Sequence, residues 1–243
     1  MRLISVLLAA FILAIPVAAE AQDWTEFASR EDRFTCNFPG EPTVTETTWI
    51  SEYGAELPAR LYSAELGRGR YSVTVVDYNQ AQPILTERAK ACPPGAETCQ
   101  GGAGSTGEGY WKLDLRGALV YASWTFMQRD AVVTHYNLNH VDVVEGHNLQ
   151  LTNSADQSRT FASIYMHENK LYVMEATVPR GYPEPGLFQQ SLGWLDENGL
   201  GLRYETFYSN GFPTPVRARR PGAAQDQGRI DAPGAVAEPA PAR

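Results

Sequence analysis

Residues 159–178 read RTFASIYMHENKLYVMEATV, and the fold class turns on this stretch. Two runs rich in aromatic and apolar residues flank the polar pair Glu168-Asn169, the pattern of a strand, a two-residue turn and a second strand. Pairing across that turn puts Ala162, Ile164, Met166, Leu171 and Val173 on one face. Phe161, Tyr165, Tyr172, Met174, Ala176 and Val178 fill the other. A one-residue slip exchanges members but leaves both faces apolar. An antiparallel sheet wet on one side alternates apolar with polar. This hairpin does not, so each face needs a covering layer.

Working back from the hairpin, Val132–Val144 and His147–Asn153 read as strands around a turn at Glu145-Gly146. Before them, Tyr110–Arg129 carries two helical stripes. One is Trp111, Leu115, Ala118, Ala122 and Phe126; the other is Leu113, Val120, Trp124 and Met127. A helix apolar nearly all round is expected to be buried. The same run, ALVYASWTFM, also fits a buried strand; the helix is preferred. Pro83–Ala91 opens with a first-turn proline and predicts a shorter helix. Phe34–Phe38, Thr43–Ser51, Leu57–Leu66 and Tyr71–Tyr78 form a meander punctuated by Gly and Pro turns, and Trp24–Arg30 reads as a short helical turn. Forward of the hairpin, Glu184-Pro185 starts a helix with Leu187, Phe188, Leu192 and Leu195 on one stripe, ended by Asn198-Gly199.

The chain starts with Met1-Arg2, an apolar run to Ala14 and an Ala19-x-Ala21 pattern, which predicts a secretory signal peptide over residues 1–21. Its apolar run is too short for a spanning helix, which needs roughly 20 residues. One domain is expected over residues 22–213, then a Pro/Ala/Gly-rich disordered tail over 214–243 that opens on Arg217, Arg219 and Arg220. Export to the periplasm or beyond follows. The net charge of −8 argues against nucleic acid or an anionic membrane as partner. Of three cysteines, Cys92 and Cys99 close the short loop CPPGAETC and form the natural disulfide in an exported chain. Cys36 reads as a buried free thiol.

No catalytic set stands out. Gly102-x-Gly104-x-x-Gly107 fits a dinucleotide fingerprint literally, but a proline-rich loop precedes it where a strand is required, so no cofactor is expected. His135 and His140 are five apart and point to opposite faces of one strand. His140 and His147 are the weak candidates for a metal site across the turn, with Asp142 or Glu145 near, and no third ligand falls at a recognised spacing. Trp49 with Tyr53 offers a possible exposed aromatic patch, against a default of core packing.

The stretches Phe34-x-x-x-Phe38-Pro39-Gly40-Glu41-Pro42, Glu145-Gly146-His147-Asn148, Asn169-Lys170-Leu171-Tyr172 and Phe188-x-x-Ser191-Leu192 resemble the PsbP-like family over roughly Asp32 to Glu197. The resemblance implies an α+β fold, an antiparallel β-sheet sandwiched between helices, and no catalytic residue, because these domains look like docking and assembly modules. The expectation is a non-enzymatic exported domain with a protein partner. The alternatives are a periplasmic small-molecule or metal-binding protein, and a hydrolase whose site the sequence conceals. The best candidate docking surface is the Gly-rich loop from Cys92 to Gly109, against the alternative of a tolerated insertion.

Overall fold

The computed structural model describes residues 24–101 and 109–210; the expected signal peptide, the Gly102–Gly107 run and the tail lie outside them. The opening stretch forms strands β8 (Arg159–His167) and β9 (Lys170–Val178), paired from Arg159↔Val178 to His167↔Lys170. Glu168 and Asn169 have φ of +48° and +59°, the left-handed pair that a tight hairpin turn requires. The strained turn is tied down: the Glu168 N–H donates to Tyr208 OH, the Asn169 N–H to Asn210 Oδ1, and the Glu168 carboxylate pairs with Arg33.

The hairpin sits inside a seven-stranded antiparallel sheet. Its order is β3 (Thr43–Ile50), β4 (Glu56–Leu66), β5 (Gly69–Asp77), β9, β8, β7 (Val144–Asn153), β6 (Ala131–Val141). The two predicted faces separate as expected. Ala162, Ile164, Met166, Leu171 and Val173 join the core under helices α1 (Ala81–Lys90) and α2 (Trp111–Met127). Tyr165, Tyr172, Met174 and Ala176 join a second, aromatic-rich core on the opposite face. The fold is α+β with an antiparallel sheet between two layers.

The second layer is mostly sheet, not helix. Strands β1 (Trp24–Ser29), β2 (Phe34–Pro39), β10 (Gly193–Leu195) and β11 (Gly201–Leu202) make a small antiparallel sheet. The helical turn expected over Trp24–Arg30 is a strand, because a six-residue helix is marginal in water whereas pairing with β2 satisfies its backbone and brings Phe27 against Phe34, Phe38 and Tyr62. The helix expected after Glu184-Pro185 is one turn, α3 (Gly186–Gln189). Past it the chain turns extended so that Trp194 pairs opposite Phe34 and is buried against Tyr165 and Tyr172. Gly193 permits that approach, since a Cβ there would lie 2.7 Å from Thr35 Oγ1.

The β6–β7 turn falls at Asp142-Val143 (φ +45° and +58°), not at the expected Glu145-Gly146. Gly146 is instead a strand residue packed on the hairpin. A Cβ there would come 2.2 Å from Tyr165 Cδ1 and 2.4 Å from the Ile164 carbonyl oxygen. Close packing, not turn formation, is what requires glycine at 146. The Tyr208 segment holds the displaced turn, its N–H donating to Val143 C=O at 2.9 Å and its C=O accepting from Glu145 N–H at 3.0 Å.

Candidate functional site

Strand β6 ends the seven-stranded sheet, with β7 on one side and no described strand on the other. It is 11 residues long, AVVTHYNLNHV, and contains no Lys, Arg, Asp or Glu. Natural edge strands are usually short or guarded by charge or proline, because their free N–H and C=O groups template pairing with another chain. The guard on β6 is a bulge between Val133 and His135. Leu138 is 80% exposed and Val132 63%; Val133 and Tyr136 are also exposed.

Register assigns these side chains to faces. Val133 lies opposite Leu151, Tyr136 opposite Leu149 and Leu138 opposite His147. Leu149 and Leu151 belong to the core under the helices, so Val133, Tyr136 and Leu138 continue that face outward, while Val132 and Val141 lie on the other. Helix α2 packs over β7, β8 and β9 through Ala118, Ala122 and Phe126. Of its second stripe, expected to be buried, Met127 packs against the core while Leu113, Val120 and Trp124 point outward, about half exposed or more, with Trp124 stacked on Tyr121 at 5.8 Å. Sequence periodicity registers a stripe as apolar and carries no record of whether a second layer arrives to cover it. One signal for β6 was available, the uncharged 11-residue run itself.

Beneath this surface is a buried polar cluster. Ser123 on α2 places Oγ 2.7 Å from His147 Nδ1, and Tyr136 OH lies 3.1 Å from the same nitrogen. Ser123 Oγ donates its one proton to the Leu119 carbonyl at 2.9 Å. That leaves it the acceptor from His147, an assignment made from the network. Burial lowers the His147 pKa, so the imidazole is held neutral. The pair does not make a hydrolytic dyad. Among the described residues no carboxylate orients the ring, and the hydroxyl is buried in a helix and already bonded.

The remaining sequence candidates are dispersed. His140 is exposed on β6, opposite Glu145 and against the Phe207 ring at 5.8 Å. It shares a face with His147 by register, yet among the described residues no group of three His, Cys, Asp or Glu side chains is placed to hold a metal. His135 is exposed on β6. His167 is fully buried, bonded through Nε2 to Tyr204 OH at 2.8 Å and stacked on Trp194 at 4.5 Å. Trp49 and Tyr53 form no exposed patch: both pack against the helix-side core, and Tyr53 stacks on Tyr110 at 4.7 Å. Cys92 and Cys99 are bonded, their Cα atoms 5.9 Å apart, while Cys36 is buried, reduced and 3.3 Å from Ser191 Oγ.

The most engaged charge is Asp32. Its carboxylate meets Lys170 Nζ at 2.7 Å, Tyr62 OH at 2.7 Å and Arg60 Nε at 3.1 Å. Tyr172 OH donates to its carbonyl at 2.7 Å. A buried carboxylate satisfied on every side clamps the small sheet to the large one and offers no reactive lone pair.

No protein-family model matches the sequence, and comparison with curated proteins gives no match. Among solved structures, the chain is similar to the solution structure of cyanobacterial PsbP (CyanoP) from Synechocystis sp. PCC 6803. The identity is 10% and the TM-score 0.35, over 70% of this chain and 88% of that one. Similarity of that size carries no inference about function. Among the described residues no helix is long and apolar enough to cross a membrane.

Proposed function

We propose that this chain is an exported, non-enzymatic docking module that captures an extended segment of a partner protein along β6. The observation that carries the reading is the 11-residue, uncharged, apolar-faced edge strand at the rim of the large sheet. A strand added there would take its affinity from main-chain hydrogen bonds. Its specificity would come from alternate side chains packing beside Val133, Tyr136 and Leu138. The partner segment is therefore uncharged and alternately apolar, since a charged strand would find no counter-charge on β6. The Cys92–Cys99 bond is in keeping with an oxidising compartment.

The test is a photo-crosslinking amino acid placed at Tyr136 in the exporting cell. One discrete adduct, heavier than the chain by a second protein and lost when Leu138→Lys is added, supports the reading. An adduct of twice the chain mass would assign the edge to self-association instead. The absence of any β6-dependent adduct overturns the proposal.

A further inference from the structure

At the end of the sheet opposite the Glu168-Asn169 turn, a surface cleft of about 380 Å³ opens between three chain reversals. Arg68 comes from the β4–β5 turn and Arg70 from the start of β5, and Arg180 follows β9. The β7–β8 loop supplies Asp156 and Ser158. The turn depends on two glycines. Gly67 has φ +59°, and a Cβ on Gly69 would lie 2.8 Å from Tyr71 OH, so the ribbon stays tight and both arginines flank the same opening.

The charges around this cleft do not cancel. Its acids are Glu65 and Asp156, against three guanidinium groups. Asp156 is already engaged: its Oδ1 accepts from Ser158 N–H at 2.9 Å and from Ser158 Oγ at 2.6 Å. Among the described residues none of Arg68, Arg70 and Arg180 makes an ion pair within 4 Å, whereas Arg33, Arg60, Arg129, Arg159 and Arg203 all do. In a chain with 28 acidic and 20 basic residues, three arginines without a close ion pair line one concave surface, where Arg70 lies opposite Glu65 and within electrostatic reach of Asp156, and their excess over the two acids makes a local cationic site in an anionic protein.

We infer that this cleft binds a compact phosphate-bearing ligand. A guanidinium presents a planar fork of donors that matches phosphate oxygens two at a time. Three such forks offer more donors than a lone carboxylate has acceptors, and a dianion with three or more terminal oxygens uses them. The cleft also has room for more than a single phosphate. Thr177 and Ser158 also line its wall, their hydroxyls already bonded to Thr160 and Asp156, so the arginines carry the recognition. The inference is independent of the docking reading, which rests on the sheet's edge and not on its end.

The test uses the whole mature chain at fixed ionic strength, with pyrophosphate and inorganic phosphate titrated calorimetrically. A second arm sediments the protein with phosphatidylglycerol vesicles, against phosphatidylcholine vesicles as reference. Saturable binding is expected, weakened about tenfold or more by Arg70→Ala or Arg180→Ala, since each removes charge-assisted hydrogen bonds. Arg70→Lys keeps the charge but loses the fork and should weaken binding severalfold. Arg203→Ala should change nothing. Binding of pyrophosphate marks a soluble ligand. Recruitment to phosphatidylglycerol that is lost in Arg70→Ala/Arg180→Ala, without competition by pyrophosphate, marks a lipid phosphate. Both outcomes support a phosphate site. No saturable binding in either arm, or binding unchanged in the double variant with an unaltered melting temperature, overturns it.

Discussion

Ser123 Oγ and His147 Nδ1 lie 2.7 Å apart and join helix α2 to strand β7 inside a water-poor layer. The contact fixes where α2 crosses the sheet and leaves β6 to project beyond it. It also gives the fold a titratable joint.

Burial lowers the folded-state pKa of His147 below its ordinary 6.5, so the unfolded chain binds the proton more readily. The stabilisation is present above about pH 6.5 and is lost as pH falls through the folded pKa. His147→Gln should therefore cost more stability at pH 7 than at pH 5. Urea midpoints of both proteins at the two pH values check this, and parallel midpoints would refute it.

Asp114, in the first turn of α2, has the opposite sign. Its buried carboxyl accepts from Ser51 Oγ, and burial raises its pKa above the ordinary 3.8. The folded state then holds the proton more tightly, and stability falls as pH rises from about 3.8 through the raised value. Asp114→Asn keeps an acceptor for Ser51 and cannot ionise. Its stability relative to the parent should rise between pH 4 and pH 7, read from chemical unfolding at each pH. A constant difference would mean that Asp114 does not titrate differently on folding.

Gly146→Ala should destabilise by roughly 1–3 kcal/mol, as overpacking does, because its Cβ would enter the Tyr165 ring and the Ile164 carbonyl. Gly67→Ala meets no side chain and exchanges only a left-handed glycine, so it should cost less. Thermal melts of the two variants rank them. A larger loss for Gly67→Ala would contradict the packing at Gly146.

The central hairpin should exchange its amides only through global unfolding, since β8 and β9 have neighbours on both sides and cores on both faces. Ile164→Ala should cost about 2–5 kcal/mol. Fast native-state exchange across 161–178 would show that another element holds the fold.

Cys36 is fully buried, and burial pushes its thiol pKa up to about 12. It should resist iodoacetamide at pH 8 in the native protein and react fully in denaturant. Mass spectrometry of the two reactions gives the answer, with native modification the adverse result.

How much of this was legible differs between elements. Residues 161–176 disclosed their two faces because strand periodicity is local and a two-residue turn fixes register. Helix 111–127 was less plain, since ALVYASWTFM also fits a buried strand, and the structure settles it as the preferred helix. Its outer stripe was not legible, since Leu113, Val120 and Trp124 look the same in sequence whether or not a layer covers them. Gly146 read as a turn glycine because a turn and a close approach both select glycine, and only the neighbouring Tyr165 distinguishes them.

By itself the sequence determined a central antiparallel hairpin needing cover on both faces, the helices that cover one of them, and the cysteine pair spaced for a short loop. These follow from local period and spacing, which the chain carries in each segment. Tertiary structure alone decided that β1 and β10 would be strands, that His147 would meet Ser123, that β6 would be the free edge, and that Arg68, Arg70 and Arg180 would share one cleft. Those outcomes depend on long-range pairing energies that override weak local preference in short segments, and no single segment holds that information.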